Sequence, residues 1–288
     1  MRVPTTPIDI AAWVEAAPEG QGEFREAVHT ILCAIAHEPQ LRNEMVMKGG
    51  ILLAIRYGSN RFTKDIDFST SKLLKEMPLE TVRHLLDRSL VLAVEELDYD
   101  LDCQVQSATV MPSDKPGVSF PTIRLTIGHA YKGSKKHASL QRLECPTIIS
   151  IDFSLNEPIF ALEALELGGS GDGCLLSYAF SDLVAEKLRA LLQQERRNRV
   201  RRQDIYDLFR LLERHAPDEN ERDAILTSLN KKSAARDLEV SRESMDNPEI
   251  RKRAQADYPQ LAAEIEGELP DFDASYDRVA AFYRTLPW

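Results

Sequence analysis

Residues 44–70 read EMVMKGGILLAIRYGSNRFTKDIDFST, and their order of apolar, glycine and acidic positions decides the fold. A short apolar strand ends near Lys48, Gly49-Gly50 make a turn, and an apolar helix runs to about Tyr57. A loop then leads to a second strand carrying Asp65-Ile66-Asp67-Phe68. With a strand period of two, Asp65 and Asp67 project from one face while Ile66 and Phe68 turn to the other. Carboxylates held this close repel, and a divalent cation with hard oxygen ligands relieves the repulsion.

Working outward, Phe24, Val28, Ile31, Leu32, Ile35 and Ala36 recur at the spacing of an amphipathic helix. Leu79, Val82, Leu85, Leu86, Leu90, Val94 and Leu97 do the same over 79–97. Strand-like, β-branched segments follow near 99–110, 119–128 and 147–155, separated by turns at KPG and YKGSKK. From about Tyr178 the pattern is helical only, beginning with 180–194 and 203–214. GGSGDG at 168–173 reads as a linker between the halves, and no GK[ST] follows it to make a phosphate loop. The expected class is α+β: a mixed sheet with flanking helices over residues 1–170, then an all-helical C-terminal domain over 174–288.

The strand ISIDFSL places a third acid, Asp152, among apolar neighbours, where a charge is costly unless it meets a cation, a cleft or a partner. A glycine turn ahead of a helix lets backbone N–H groups approach a triphosphate closely. A glycine pair, a DxD and a distant single aspartate together form a phosphoryl-transfer pattern, with Asp65, Asp67 and Asp152 as metal ligands.

In the helical half, Lys187 falls inside the apolar arc of Leu183, Val184, Leu188 and Leu191, so it needs an anionic partner. Asp204 aligns with Leu208, Leu211 and Leu212 and borders a buried stripe too. These positions leave two readings open. Either Lys187 and Asp204 form an internal ion pair joining two helices, or both face a cleft, with Lys187 on a phosphate and Asp204 near the acceptor.

Composition narrows the class. The chain has 288 residues, 36 Lys and Arg against 46 Asp and Glu, a net charge of −10, and 43% hydrophobic residues. That is a globular mixture, without a run long enough to span a membrane or an N-terminal secretory signal, so a cytoplasmic location is expected. Cys33, Cys103, Cys145 and Cys174 offer no CxxC pair, and the six histidines show no metal-ligand spacing. Two segments run against the acidic balance. Lys132, Lys135, Lys136 and Arg142 lie within 129–142 without an acid, and Arg196, Arg197, Arg199, Arg201 and Arg202 cluster just before Asp204. Such concentrated charge suits a polyanion such as RNA, or a solvated surface.

KGGILLAIRYG with RFTKDIDF, the later ISIDFSL, and EKLRALL with RRQDIYDLFRLL resemble, in that order over residues 45–214, the AbiEii/AbiGii toxin family. These are nucleotidyltransferases of the DNA polymerase beta-like superfamily. The resemblance implies a mixed sheet with flanking helices and a helical C-terminal domain. It also implies a toxin of a type IV toxin–antitoxin or phage-defence system, opposed by a separate antitoxin. Such enzymes bind an NTP with Mg²⁺ or Mn²⁺, and some add nucleotides to the 3′ acceptor end of tRNA, blocking translation. By motif, Lys48, Gly49 and Gly50 would hold the phosphates, Asp65 and Asp67 would ligate metal, and Lys187 and Asp204 would complete the active site. The helix start carries Ile51 where the superfamily commonly has Ser or Thr, so no hydroxyl is expected among the phosphate contacts. Alternatives are transfer to a protein or small molecule, which needs no basic segments, and a nucleotide-binding partner protein without chemistry.

Overall fold

A computed structural model describes residues 3–113, 118–168 and 173–288. Eight strands among them form one mixed sheet: β1 (Thr5–Asp9), β2 (Val46–Lys48), β3 (Asp65–Ser69), β4 (Leu101–Met111), β5 (Thr122–Tyr131), β6 (Ile148–Ser154), β7 (Leu162–Gly168) and β8 (Cys174–Tyr178). Their order is β1-β7-β8-β2-β3-β6-β5-β4. β1 runs parallel to β7, β2 to β8 and β3 to β6, whereas β2–β3, β4–β5 and β5–β6 are antiparallel. The sheet is therefore mixed, as the sequence leads one to expect.

Helices α1 (Ile10–Glu15), α2 (Gly22–His37), α3 (Pro39–Glu44), α4 (Gly49–Tyr57), α5 (Leu79–Glu96) and α6 (Lys135–Leu140) accompany the strands. The C-terminal part adds α7 (Phe180–Leu192), α8 (Gln194–Arg197), α9 (Arg202–Arg214), α10 (Glu219–Ala234), α11 (Pro248–Gln255) and α12 (Phe272–Arg284). α2 departs from the one-sided helix read in the sequence: every residue from Ala27 to Ala36 is buried, so it is covered on all sides. α5 keeps its expected stripe, burying Val82, Leu86, Leu90 and Ala93 while Val91 and Leu92 stay exposed. Among the described residues no helix is long and apolar enough to cross a membrane.

The chain divides into two compact units. One comprises Met1–Arg56, Lys64–Glu157 and Leu162–Ser177; the other comprises Tyr57–Thr63, Pro158–Ala161 and Tyr178–Trp288. The expected linker at 168–173 has four residues, 169–172, outside the described set. Its flanks end β7 and begin β8, neighbours in the same sheet. The alternation of buried Leu175 and Ser177 in β8 is strand-like, and five residues are too few for a periodicity argument to find them.

Within the sheet unit, register separates apolar from charged rows. Phe68, Phe153 and Ile123 are cross-strand partners and all fully buried. One residue away along each strand, the opposite face carries the charges Asp67, Asp152 and Arg124. Within the helical unit, α7 packs on α9 and α10. A buried Lys232 on α10 approaches Asp182 of α7 at 3.2 Å and donates to the Pro158 carbonyl at 2.9 Å. Asp182 also accepts from Ser228 Oγ at 2.6 Å and from the Phe160 amide at 3.0 Å. The short segment 158–161 is thus tied to the helices by a fully buried carboxylate.

Candidate active site

Strand register assembles a row of four charges. Lys48 of β2 pairs with Asp67 of β3, Asp67 with Asp152 of β6, and Asp152 with Arg124 of β5. In-register partners share a face, so the row reads plus, minus, minus, plus across four adjacent strands. Asp65 stands two residues before Asp67 on that same face, opposite Ser150.

Gly49 follows Lys48 with φ +78°, a left-handed conformation that admits glycine readily. A Cβ there would lie 2.0 Å from Asp67 Oδ2 and 2.7 Å from its Cγ. The first glycine of the turn is therefore the empty space into which the Asp67 carboxylate fits. Gly50 is buried in the first turn of α4, a nine-residue helix whose free N–H groups start beside that carboxylate.

Arg124 grips Asp152 in a bidentate pair, Nε to Oδ1 and Nη2 to Oδ2, both at 2.7 Å. Partial burial and the nearby Asp152 charge raise the Asp65 pKa above its ordinary value, with Arg124 and a Ser150 hydrogen bond acting against them. An acid held in a negative environment suits a cation-binding role. Among the described residues, the only trio of His, Cys, Asp or Glu donor atoms within 4.8 Å of one another lies elsewhere, at Cys33, His37 and Glu96. The three aspartates therefore do not converge as one triad. Asp65 and Asp67 offer neighbouring carboxylates on one face of β3, a donor set that fits a hard cation sharing its remaining positions with water and phosphate, and Asp152 is engaged by Arg124.

In the helical unit, Lys187 Nζ donates to Asp204 Oδ1 at 2.9 Å and to Asp207 Oδ2 at 2.7 Å. Arg61 donates to both oxygens of Asp207 at 2.9 Å. The Lys187 side chain is 9% exposed and that of Asp207 0%, so these are buried charges. Of the two readings the sequence left open, this geometry is the internal ion pair, enlarged by two residues. Burial alone would lower the Lys187 pKa, but Asp204 and Asp207 outweigh it and hold it above its ordinary value. Burial would raise Asp207; Arg61 and Lys187 instead bring it down to about 2. Asp204 Oδ2 is buried without a hydrogen-bond partner, and Arg201 Nη1 stands 3.9 Å from it.

Sequence reasoning missed Arg124, Arg61 and Asp207. Asp207 lies three residues after Asp204 on α9, and that i, i+3 spacing was the available signal. Arg61 had none, because its partner is 146 residues away. Of the basic residues, Lys132, Lys135, Lys136, Arg196, Arg197 and Arg199 are exposed. Lys136 approaches Glu23 at 3.5 Å, and Arg196 donates to the carbonyls of Arg236 and Asp237. Arg202 bonds Gln260 and Glu264, and Arg201 flanks Asp204, so these two serve the protein's own acids.

The family model described as nucleotidyl transferase AbiEii toxin, type IV TA system, matches residues 30–280. The chain belongs to this family. It is an AbiEii-type nucleotidyltransferase toxin with an NTP as substrate, and membership in a type IV system implies an antitoxin partner. Among solved structures it is similar to MenT4, the nucleotidyltransferase toxin Rv2826c from Mycobacterium tuberculosis H37Rv, at 17% identity and TM-score 0.54, covering 96% of this chain and 89% of that one. It is also similar to JHP933 from Helicobacter pylori, at 15% identity and TM-score 0.52, covering 94% and 93%. At these identities the likeness concerns the fold. No curated protein sequence matches.

Two outcomes follow from the AbiEii site geometry. Gly49→Ala displaces the Asp67 carboxylate, and a shift on the order of 1 Å costs about a hundredfold in transfer rate; single-turnover kinetics on the folded variant check this. Asp207→Ala leaves Lys187 and Arg61 buried without their shared anion and should destabilise the chain by about 3–5 kcal/mol in urea unfolding. Because the folded pKa of Asp207 lies below its unfolded value of 3.8, its contribution is complete above that pH and is lost as pH falls toward about 2. Asp207→Asn should remove that portion of the acid sensitivity.

Proposed function

We propose that this toxin uses a divalent metal to transfer a nucleotide from an NTP to RNA, at the 3′ acceptor end of tRNA, and so blocks translation. The observation that carries the reading is the charge row at the Gly49 turn, where the Asp67 carboxylate fits against the start of a helix and the row of acids runs between Lys48 and Arg124. Asp65 and Asp67 would hold Mg²⁺ or Mn²⁺. The bound ion supplies charge neutralisation and polarisation of the reacting phosphoryl group. The Gly49-Gly50 turn and the first N–H groups of α4 receive the phosphates, with Lys48 adding positive charge. Asp152 is assigned a positioning role: it fixes the Arg124 guanidinium beside the pair rather than serving as a third metal ligand. In the helical unit, Lys187 holds Asp204 and Asp207 in one orientation, and this pair is assigned a structural role.

RNA as acceptor rests on the exposed cations: Lys132, Lys135 and Lys136 at α6, and Arg196, Arg197 and Arg199 around α8. A protein or small-molecule acceptor would not need these clusters, and a chemistry-free partner protein would have no use for the acids beside the glycine turn.

Incubation with each labelled NTP, total RNA and Mg²⁺ or Mn²⁺ should label the tRNA band, and chelation should abolish it. Asp65→Asn and Asp67→Asn should each lose on the order of a hundredfold or more while remaining folded. Label on protein and on no RNA would overturn the acceptor. Reversing Arg196, Arg197 and Arg199 to Glu should weaken RNA binding and flatten its salt dependence, with NTP binding retained; unchanged RNA affinity would move the acceptor contact elsewhere.

A further inference from the structure

A second cluster of metal-type donors lies on α2 and α5, apart from the acids of β3. Cys33 and His37 are four residues apart on α2 and so share a helix face. Glu96 ends α5, which packs on α2. His37 Nδ1 is 3.8 Å from Cys33 Sγ and 3.0 Å from Glu96 Oε2, and all three donor atoms lie within 4.8 Å of one another. Zinc bonds of about 2.3 Å to sulfur and 2.0–2.2 Å to nitrogen or oxygen, at a tetrahedral angle, separate neighbouring donors by roughly 3.3–3.6 Å. The observed separations bracket that range, and small side-chain rotations would meet it.

We propose that Cys33, His37 and Glu96 form a zinc-class site that joins α2 to the C-terminal end of α5. The donor chemistry selects the ion. A thiolate and an imidazole favour zinc over magnesium, so this site would not compete for the hard cation at Asp65 and Asp67. Access is one-sided. Cys33 is buried, whereas the His37 and Glu96 side chains are 28% and 39% exposed, which gives three protein ligands and leaves a fourth position on the solvent side. A Cβ at Gly173 would stand 3.2 Å from His37 Nε2, so the far edge of the ring is backed by main chain and its Nδ1 edge is directed at the other donors. On binding, the Cys33 thiol gives up its proton, and His37 binds through the Nδ1 lone pair. Without zinc, the same groups form a His37–Glu96 ion pair over a core thiol.

The test uses the full chain, purified through a chelator and titrated with Co²⁺ and then Zn²⁺. One Co²⁺ per chain should give the near-ultraviolet thiolate charge-transfer band and the visible bands of a tetrahedral site, and Zn²⁺ should displace it with proton release. In the Asp65→Asn/Asp67→Asn double variant, Zn²⁺ should raise the melting temperature and Mg²⁺ should not. His37→Ala and Glu96→Gln change partly exposed groups, keep the fold, and should each weaken Co²⁺ binding by more than about tenfold. Cys33→Ser should remove the charge-transfer band; if it fails to fold, the other two variants carry the decision. Absence of the thiolate band in the folded wild type overturns the proposal. So does a band of undiminished affinity in His37→Ala, which would place the metal on another cysteine. Asp65→Asn/Asp67→Asn should keep the thiolate charge-transfer band at undiminished Co²⁺ affinity, which separates this site from the transfer reaction.

Discussion

Two carboxylates, Asp67 and Asp152, stand side by side on adjacent parallel strands, and much of the sheet unit is arranged around their repulsion. In water such a pair would cost little, but on the rim of a sheet whose other face is fully buried the cost grows as the local dielectric falls. Lys48 and Arg124 bracket the pair, one from each side. The result is electrically asymmetric. Arg124 takes both oxygens of Asp152, whereas Lys48 is the cross-strand neighbour of Asp67. The turn at Gly49 then brings the start of α4 to the same place, so helix N-terminus and carboxylate meet within one short stretch of chain.

The helical unit treats its charges differently. Arg61, Lys187, Asp204 and Asp207 form an alternating network with little solvent around it, and its two cations and two anions balance. Removing any one member leaves a charge that the surroundings cannot solvate. Such a network is sensitive to position: it ties α7, α9 and the loop at Arg61 to one another.

Much of this was legible in the residues. The DxD alternation, the glycine turn and the acid in ISIDFSL placed Asp65, Asp67 and Asp152 on strands before any coordinates, because strand period and the cost of a charge among apolar neighbours are local rules. Lys187 inside an apolar arc demanded an anion, and Asp204 was found as its partner. What was not legible depends on distance along the chain. Arg124 meets Asp152 and Arg61 meets Asp207 only through tertiary pairing. β7 and β8 escaped because short strands beside a glycine-rich segment look like a linker, and α2 looked one-sided because its polar-seeming face carries His29, Thr30 and Cys33, all of them buried. The histidine and cysteine patterns were read separately, so the mixed Cys33–His37 pair went unnoticed.

The way the chain is shared between the two units has its own consequence. Residues 57–63 leave the sheet unit after α4 and return at β3, and while away they contribute Arg61 to Asp207 and the Phe62 amide to the Glu264 carbonyl. Residues 158–161 make a similar excursion between β6 and β7. A fragment that ends at β8 would therefore carry two loops cut off from the groups that satisfy them, and one of those loops leads directly into the DxD strand. The isolated helices would lack Arg61 and keep Asp207 buried beside a single lysine. The helical unit thus draws on segments that lie before β8 in the chain, and a simple cut at the junction would take them from it.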